Sequence, residues 1–219
     1  MSSKEWADSR NSPKNAGFTL VELLTVIVLV SLLAALFSPA FRTARNKGRQ
    51  IGCMNNLKQM GLATILYCQE SGGDVFPAYG GGVEYSWFFN NGFLKNLGIK
   101  DSTDLSSRKT RHILVCPSQN PPNYSIIYYY SYGMGAYRYW SDSSSAWVGY
   151  CPKLLEHSNP GKYILYVDAI TYYLSGSSYA SIDARHDNGV NACYVDGHVG
   201  YIPKPPEGYN ATNLPFGGP

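Results

Sequence analysis

Hydrophobic and polar positions divide this chain sharply at Gly17. Residues 1–16 carry Lys4, Glu5, Asp8, Arg10 and Lys14 and no apolar run, whereas Phe18 to Phe41 is predominantly apolar and holds a single charge, Glu22. As a helix at 1.5 Å rise per residue, these 24 residues measure about 36 Å, enough to cross a bilayer core of about 30 Å with some tilt. A charge in such a helix costs roughly 2.5–3.5 kcal/mol at the bilayer centre, so Glu22 needs a partner. Pro39 deletes a backbone hydrogen bond and crowds the preceding turn, at about 3 kcal/mol or more, and marks either a bend or the end of the apolar helix.

Beyond Arg42 the apolar positions take up helical spacing. Ile51, Met54, Leu57, Gly61, Ile65 and Cys68 recur at three- and four-residue steps, which predicts an amphipathic continuation to about Ser71, stopped by Ser71-Gly72-Gly73-Asp74. From Val75 the pattern changes to short apolar and aromatic segments. Gly80-Gly81-Gly82, Asn90-Asn91-Gly92, Pro121-Pro122-Asn123, Ser143-Ser144-Ser145 and Ser175-Gly176-Ser177 are breaks between them, and Gly133-Met134-Gly135 reads as turn material. The predicted strands are Ile113–Cys116, Ile127–Tyr132, Tyr163–Val167, Val190–Val195 and His198–Ile202, with Asp196-Gly197 as a type I′ turn between the last two. The fold class expected is α+β: a long N-terminal helix, hydrophobic then amphipathic, packed on a C-terminal antiparallel β-sheet that hides one face of each strand.

Composition narrows the function. The chain of 219 residues is 44% apolar and 15% charged, and its net charge of +3 is too small for a nucleic-acid footprint, with no long basic stripe beyond Arg42 to Arg49. Nineteen tyrosines and 22 glycines suit a strand-and-turn domain in an aqueous extracytoplasmic space. No Gly-x-Ser-x-Gly elbow, phosphate loop or Cys-x-x-Cys occurs, so the expectation is a protein that is not an enzyme and takes no cofactor. Of the five cysteines, Cys53 and Cys68 lie about 22 Å apart on one helix and cannot bond each other. Cys116, Cys151 and Cys193 leave several pairings open, and at least one thiol stays free or bonds between chains.

Gly17-Phe18-Thr19-Leu20-Val21-Glu22 followed by an apolar helix resembles the prepilin signature of type IV pilins and type II secretion pseudopilins. The resemblance implies a hydrophilic leader, residues 1–17, cut after Gly17 by a prepilin peptidase, with methylation of the new amine on Phe18. It implies an 18–41 segment that is first an inner-membrane anchor and then the core of a filament. A 42–72 continuation and a 73–219 globular β-rich, pilin-like head would follow. Glu22 of one subunit would pair with the Phe18 amine of another, and Pro39 would be where the helix bends. The partners implied are prepilin peptidase, copies of the chain or other pilins in a helical filament, the inner membrane, and the secretion or pilus assembly machinery. The head would face the periplasm or, in a filament, the exterior. A second function class is a membrane-anchored or filament-tip module that recognises glycan or surface ligands through the tyrosine-rich segment Tyr124–Trp140.

His186, followed by nine residues and then Asp196-Gly197, resembles the C-terminal motif of a prepilin-type subgroup, and Cys53 to Gln59 and Cys116-Pro117-Ser118 also resemble segments of that subgroup. The resemblance carries no chemical role for the motif. A metal set from His186, Asp187, Cys193, Asp196 and His198 fits neither zinc nor calcium spacing, so no metal is expected. The expectation is a structural hairpin with His186 bonded to backbone or to an aspartate.

Overall fold

A computed structural model describes residues 17–72, 87–100, 113–119, 131–135, 137–141, 146–150, 159–170, 173–174, 181–209 and 214. The chain divides into two units, Met1–Ala44 and Arg45–Pro219, and helix α1 (Leu20–Glu70) contributes to both.

In the first unit every described residue is exposed, with Leu20 80%, Leu29 62% and Phe41 73% accessible. Three of its side-chain hydroxyls are turned back onto the helix: Thr25 donates to the Glu22 carbonyl at 2.9 Å, Ser31 to the Ile27 carbonyl at 2.6 Å and Thr43 to the Pro39 carbonyl at 3.2 Å. Hydroxyls satisfied in this way add little to the polarity of the helix surface. Pro39 sits inside α1, which continues to Glu70, so the proline does not end the helix.

In the second unit the helix buries Cys53, Leu57, Met60, Gly61, Thr64 and Cys68. These positions follow the 3.6-residue period more closely than the expected stripe did. Ile51 is 66% exposed because it lies about 120° around the helix from Leu57. Met54 and Ile65 are half-buried at the margins. The helix stops where expected, with Gly72 at φ 76° just beyond it.

The main sheet has five strands in the order β5-β1-β4-β6-β7: β1 Tyr132–Gly135, β4 Ile164–Asp168, β5 Tyr173–Leu174, β6 Gly189–Tyr194 and β7 Val199–Pro203. Its β1–β4, β4–β6 and β6–β7 pairs are antiparallel, while the edge pair β1–β5 is parallel. A separate antiparallel pair joins β2 (Tyr137–Ser141) to β3 (Ala146–Tyr150). The helix covers one face of the main sheet, with Tyr132, Met134, Leu165, Tyr166, Cys193 and Val195 against Cys53, Leu57, Met60, Ala63 and Cys68. A register shift between Ile164 and Tyr166 lets the neighbours Leu165 and Tyr166 both join this cluster, as a bulge does. The opposite face is also covered: Ile164, Val167, Leu174, Val190, Ala192 and Leu214 form a second core. The expectation of one hidden face is therefore corrected.

Three local expectations are overturned. Ile113–Cys116 is a turn, not a strand, and Gly133-Met134-Gly135 is the buried interior of β1. Its glycines are strand residues whose neighbours Tyr132 and Met134 are fully buried, and that burial overrides their turn preference. Asn90-Asn91-Gly92 opens helix α2 (Asn91–Asn96), with the Asn90 side chain accepting the Phe93 amide at 2.9 Å as N-cap. This short helix delivers Phe93 and Leu94 to the core, where Trp87, Phe93 and Tyr166 meet with ring centroids 5.2–6.5 Å apart. Of the expected strand Ile127–Tyr132 only Ser131 and Tyr132 lie among the described residues, and Cys151, His112 and His157 lie outside them.

Candidate functional site

Two places stand out in the sequence, the start of the apolar helix and the His186 to Gly197 motif. Gly17 and Phe18 are exposed and precede the helix, and a Cβ at Gly17 would meet nothing within 4 Å. Thr19 is the last residue before Leu20. Its amide donates to Glu22 Oε2 at 2.9 Å and its hydroxyl to the same oxygen at 2.7 Å, while the Glu22 amide donates to Thr19 Oγ1 at 3.2 Å. This reciprocal arrangement is a capping box, which satisfies the first amides of the helix and sets a carboxylate against its positive end. From sequence Thr19 carries only part of the prepilin resemblance; its capping role is a structural finding, although Thr19-x-x-Glu22 ahead of an apolar run is the signature of that cap.

The head motif resolves into two turns and a strand. Asp187 and Asn188 have φ of 44° and 60°, and the flanking His186 and Gly189 exchange amide–carbonyl bonds of 3.2 and 2.8 Å. The two-residue turn with both central residues left-handed is therefore Asp187-Asn188, not Asp196-Gly197. At the other end of β6 only Gly197 has positive φ, 81°, in a three-residue loop whose Gly197 amide donates to the Tyr194 carbonyl at 2.8 Å. A three-residue hairpin loop ending on a left-handed glycine has this pattern. The nine residues between His186 and Asp196 are thus one tight turn, one strand and the first loop residue, and the two ends lie a strand length apart.

Each end has its own partners. Asp196 Oδ1 accepts from the His198 amide at 2.9 Å and lies 2.6 Å from its ring Nδ1, and the His198 ring stacks on Tyr194 at 4.1 Å. Burial pushes the Asp196 carboxyl up, but the His198 hydrogen bonds outweigh it and hold it below the usual range. Lys58 on α1 donates to the Gly197 carbonyl at 2.7 Å, so the loop is fixed to the helix. His186, by contrast, is buried beneath the helix. Its Nε2 lies 3.3 Å from Cys116 Sγ and 3.5 Å from Asp168 Oδ2. His186 is thus partnered by an aspartate, and His186 and His198 do not converge.

Cys116 is bonded to Cys53 on α1, the pairing the sequence left unresolved, while Cys68 and Cys193 are buried thiols. Burial pushes the Cys193 thiol up to about 12, which makes it unreactive. Asp168 is fully buried at the end of β4, and its Oδ2 accepts the Asn191 amide at 2.6 Å. Burial raises the Asp168 carboxyl to about 7 against the opposing Arg185 charge. The His186 ring is held down at about 4, first by burial and then by Arg185. Arg185 itself bonds the Ala169 carbonyl at 2.8 Å and Asp183 at 2.9 Å. On the rim Lys47 pairs with Asp187, and deeper in Gln50 bonds Asn191 at 3.4 Å. Nothing in the sequence pointed to Asp168, because its approach to His186 depends on β4 and the turn before β6 meeting under α1.

Of the tyrosine-rich segment, Tyr132 is fully buried and its hydroxyl meets Asn56 Nδ2 at 3.3 Å. The stretch 124–130 lies outside the described residues.

Residues 12–38 match the family described as the prokaryotic N-terminal methylation motif, and residues 42–103 match a family described as a protein of unknown function, DUF1559. The chain is 38% identical over 62 residues to the type IV major pilin protein PilA of Myxococcus xanthus (strain DK1622). That match covers 28% of this chain and 28% of the relative. No solved structure matches.

Proposed function

We propose that the chain is a pilin- or pseudopilin-like structural subunit of a filament, processed and assembled through residues 17–41, a reading supported by the methylation-motif match over residues 12–38 and the partial match to a type IV major pilin. In this reading a prepilin peptidase removes the leader after Gly17 and the Phe18 amine is methylated. The helix anchors the chain in the inner membrane with the head on the periplasmic side, and assembly machinery then moves it into a helical filament with copies of itself or other pilins. The observation that carries the reading is an apolar helix face left wholly exposed by the chain's own fold, with its single carboxylate at the N-terminal cap.

Glu22 gives the proposal its energetics. In one subunit the Thr19 amide and hydroxyl hold the carboxylate, so the charge is hydrogen-bonded before any partner arrives. In the filament the Phe18 amine of a neighbour replaces or joins these donors, and the pair offsets the burial of both charges while fixing axial register. Pro39, whose missing amide leaves one carbonyl of the preceding turn without its helical donor, is the place where the helix yields during packing.

The test is Glu22→Ala beside Glu22→Asp in a host with the assembly system. Leader removal, read by the size of the chain on a blot, should persist in both. Incorporation into filaments, seen by electron microscopy with immunogold labelling, should be lost in Glu22→Ala and retained at least in part in Glu22→Asp. Normal incorporation of the alanine variant would remove the basis of the proposal.

A further inference from the structure

Cys53, Cys116, Asp168 and His186 come from four parts of the head: α1, the turn at 113–118, the end of β4 and the turn before β6. Each offers one sulfur, oxygen or nitrogen, and these atoms lie within 4.8 Å of one another. None of the four residues is more than 3% exposed. We propose that they form a latent transition-metal site, in which reduction of the Cys53–Cys116 bond lets two thiolates, His186 Nε2 and the Asp168 carboxylate hold one zinc-class ion. Oxidation closes the site.

The geometry suits a four-coordinate ion. Bonds of 2.0–2.3 Å give a tetrahedron with edges of about 3.3–3.8 Å. The edge from Cys116 Sγ to His186 Nε2 is 3.3 Å and that from His186 Nε2 to Asp168 Oδ2 is 3.5 Å. Two sulfurs and an imidazole favour zinc and its neighbours over calcium or magnesium. Asp168 Oδ1 is buried without a hydrogen-bond partner, while Oδ2 is fixed by the Asn191 amide, so one oxygen is oriented and the other has a lone pair to spare. Two thiolates, a carboxylate and a neutral imidazole around a dication sum to −1, and the adjacent Arg185 charge compensates it. His186 also lines a cavity of about 130 Å³ together with Arg49, Gln50, Ser118 and Arg185.

The chemistry balances with an external dithiol as reductant. The dithiol gives two electrons and two protons to the Cys53–Cys116 bond and closes to its own cyclic disulfide, leaving two thiols. Binding the ion then releases both thiol protons to solvent. Reoxidation by an external disulfide takes two electrons from the two thiolates, which join to each other, while the external disulfide takes up two protons from solvent and becomes two thiols; the ion leaves.

The experiment uses the full chain in detergent, with Cys68→Ser and Cys193→Ser to remove the other described thiols. After anaerobic reduction and removal of the dithiol, the protein is titrated with Co²⁺ and then Zn²⁺. The expected result is one equivalent bound by the reduced chain and none by the disulfide form. Cobalt–sulfur charge-transfer bands and tetrahedral visible bands should appear and be bleached by zinc. His186→Ala and Asp168→Ala should each weaken binding more than about 10-fold and shift the visible bands. Stoichiometric binding that is unchanged in both variants overturns the proposal, as does the absence of stoichiometric binding by the reduced parent. If the variants fail to fold, alkylation of Cys53 and Cys116 in the reduced parent decides. Zinc should slow it more than about 10-fold, and an unchanged rate overturns the site.

Discussion

Gly61 sits where α1 crosses β6, and replacing it with alanine sets a helix gain against a packing loss. A Cβ there would lie 2.5 Å from Cys193 Sγ and 3.7 Å from Gly197 Cα. Non-bonded contacts of this kind are comfortable at about 3.5–4.0 Å, so the thiol or the helix must give by roughly 1 Å. Cys193 is fully buried, and its strand is paired to β4 on one side and β7 on the other, which leaves the backbone little room to retreat. Overpacking of this size costs about 1–3 kcal/mol, and removing a helical glycine returns about 1 kcal/mol. Gly61→Ala should therefore lose up to about 2 kcal/mol. Gly48 lies in the same helix, exposed, and a methyl group added there would meet nothing within 4 Å. Gly48→Ala should gain about 0.5–1 kcal/mol. Near-UV circular dichroism melts of the full chain in detergent measure the difference, each kcal/mol moving the head's Tm by roughly 2–4 °C. In a Cys193→Ala background only the ordinary 3.7 Å contact remains, so Gly61→Ala should become neutral or stabilising. A Gly61→Ala protein that melts at or above Gly48→Ala, or one that Cys193→Ala does not relieve, would refute the packing argument.

Three further outcomes follow from the head. The Cys53–Cys116 bond closes a separation of 63 residues, worth about 4 kcal/mol in chain entropy. Cys53→Ser/Cys116→Ser should lower the urea midpoint accordingly, and an unchanged midpoint would show that this bond does not constrain the unfolded chain. Asn90→Ala should lose about 1 kcal/mol by uncapping α2, with Asn90→Asp retaining most of it. Equal stability of the two variants in denaturant titration would contradict the cap. Asn188 at φ 60° makes Asn188→Ala worse than Asn188→Gly by about 1 kcal/mol; comparing their thermal midpoints checks the left-handed assignment of the turn.

Much of the fold was legible because its signals are local. The apolar run with one charge, the helix ending at the Ser71-Gly72 pair, and the strands β4, β6 and β7 all follow from periodicity and turn residues. Where the structure differs from these local signals, a tertiary contact overrules a local preference. Gly133-Met134-Gly135 is a strand because its neighbours are buried against the helix. Asp-Gly looked like the two-residue turn, yet register placed that turn at Asp187-Asn188 and gave Asp196-Gly197 the longer loop.

The division of labour is clearest at the two candidate sites. Gly17 to Glu22 is contiguous, so a polar N-terminal stretch, an apolar helix and a carboxylate at its start can be read from the chain alone, including a cap in Thr19-x-x-Glu22. The cluster of Cys53, Cys116, Asp168 and His186 spans more than half the chain and has no spacing to read. It exists only once the helix packs on the sheet, because burial there removes water from four side chains at once and leaves their ligand atoms within 4.8 Å of one another.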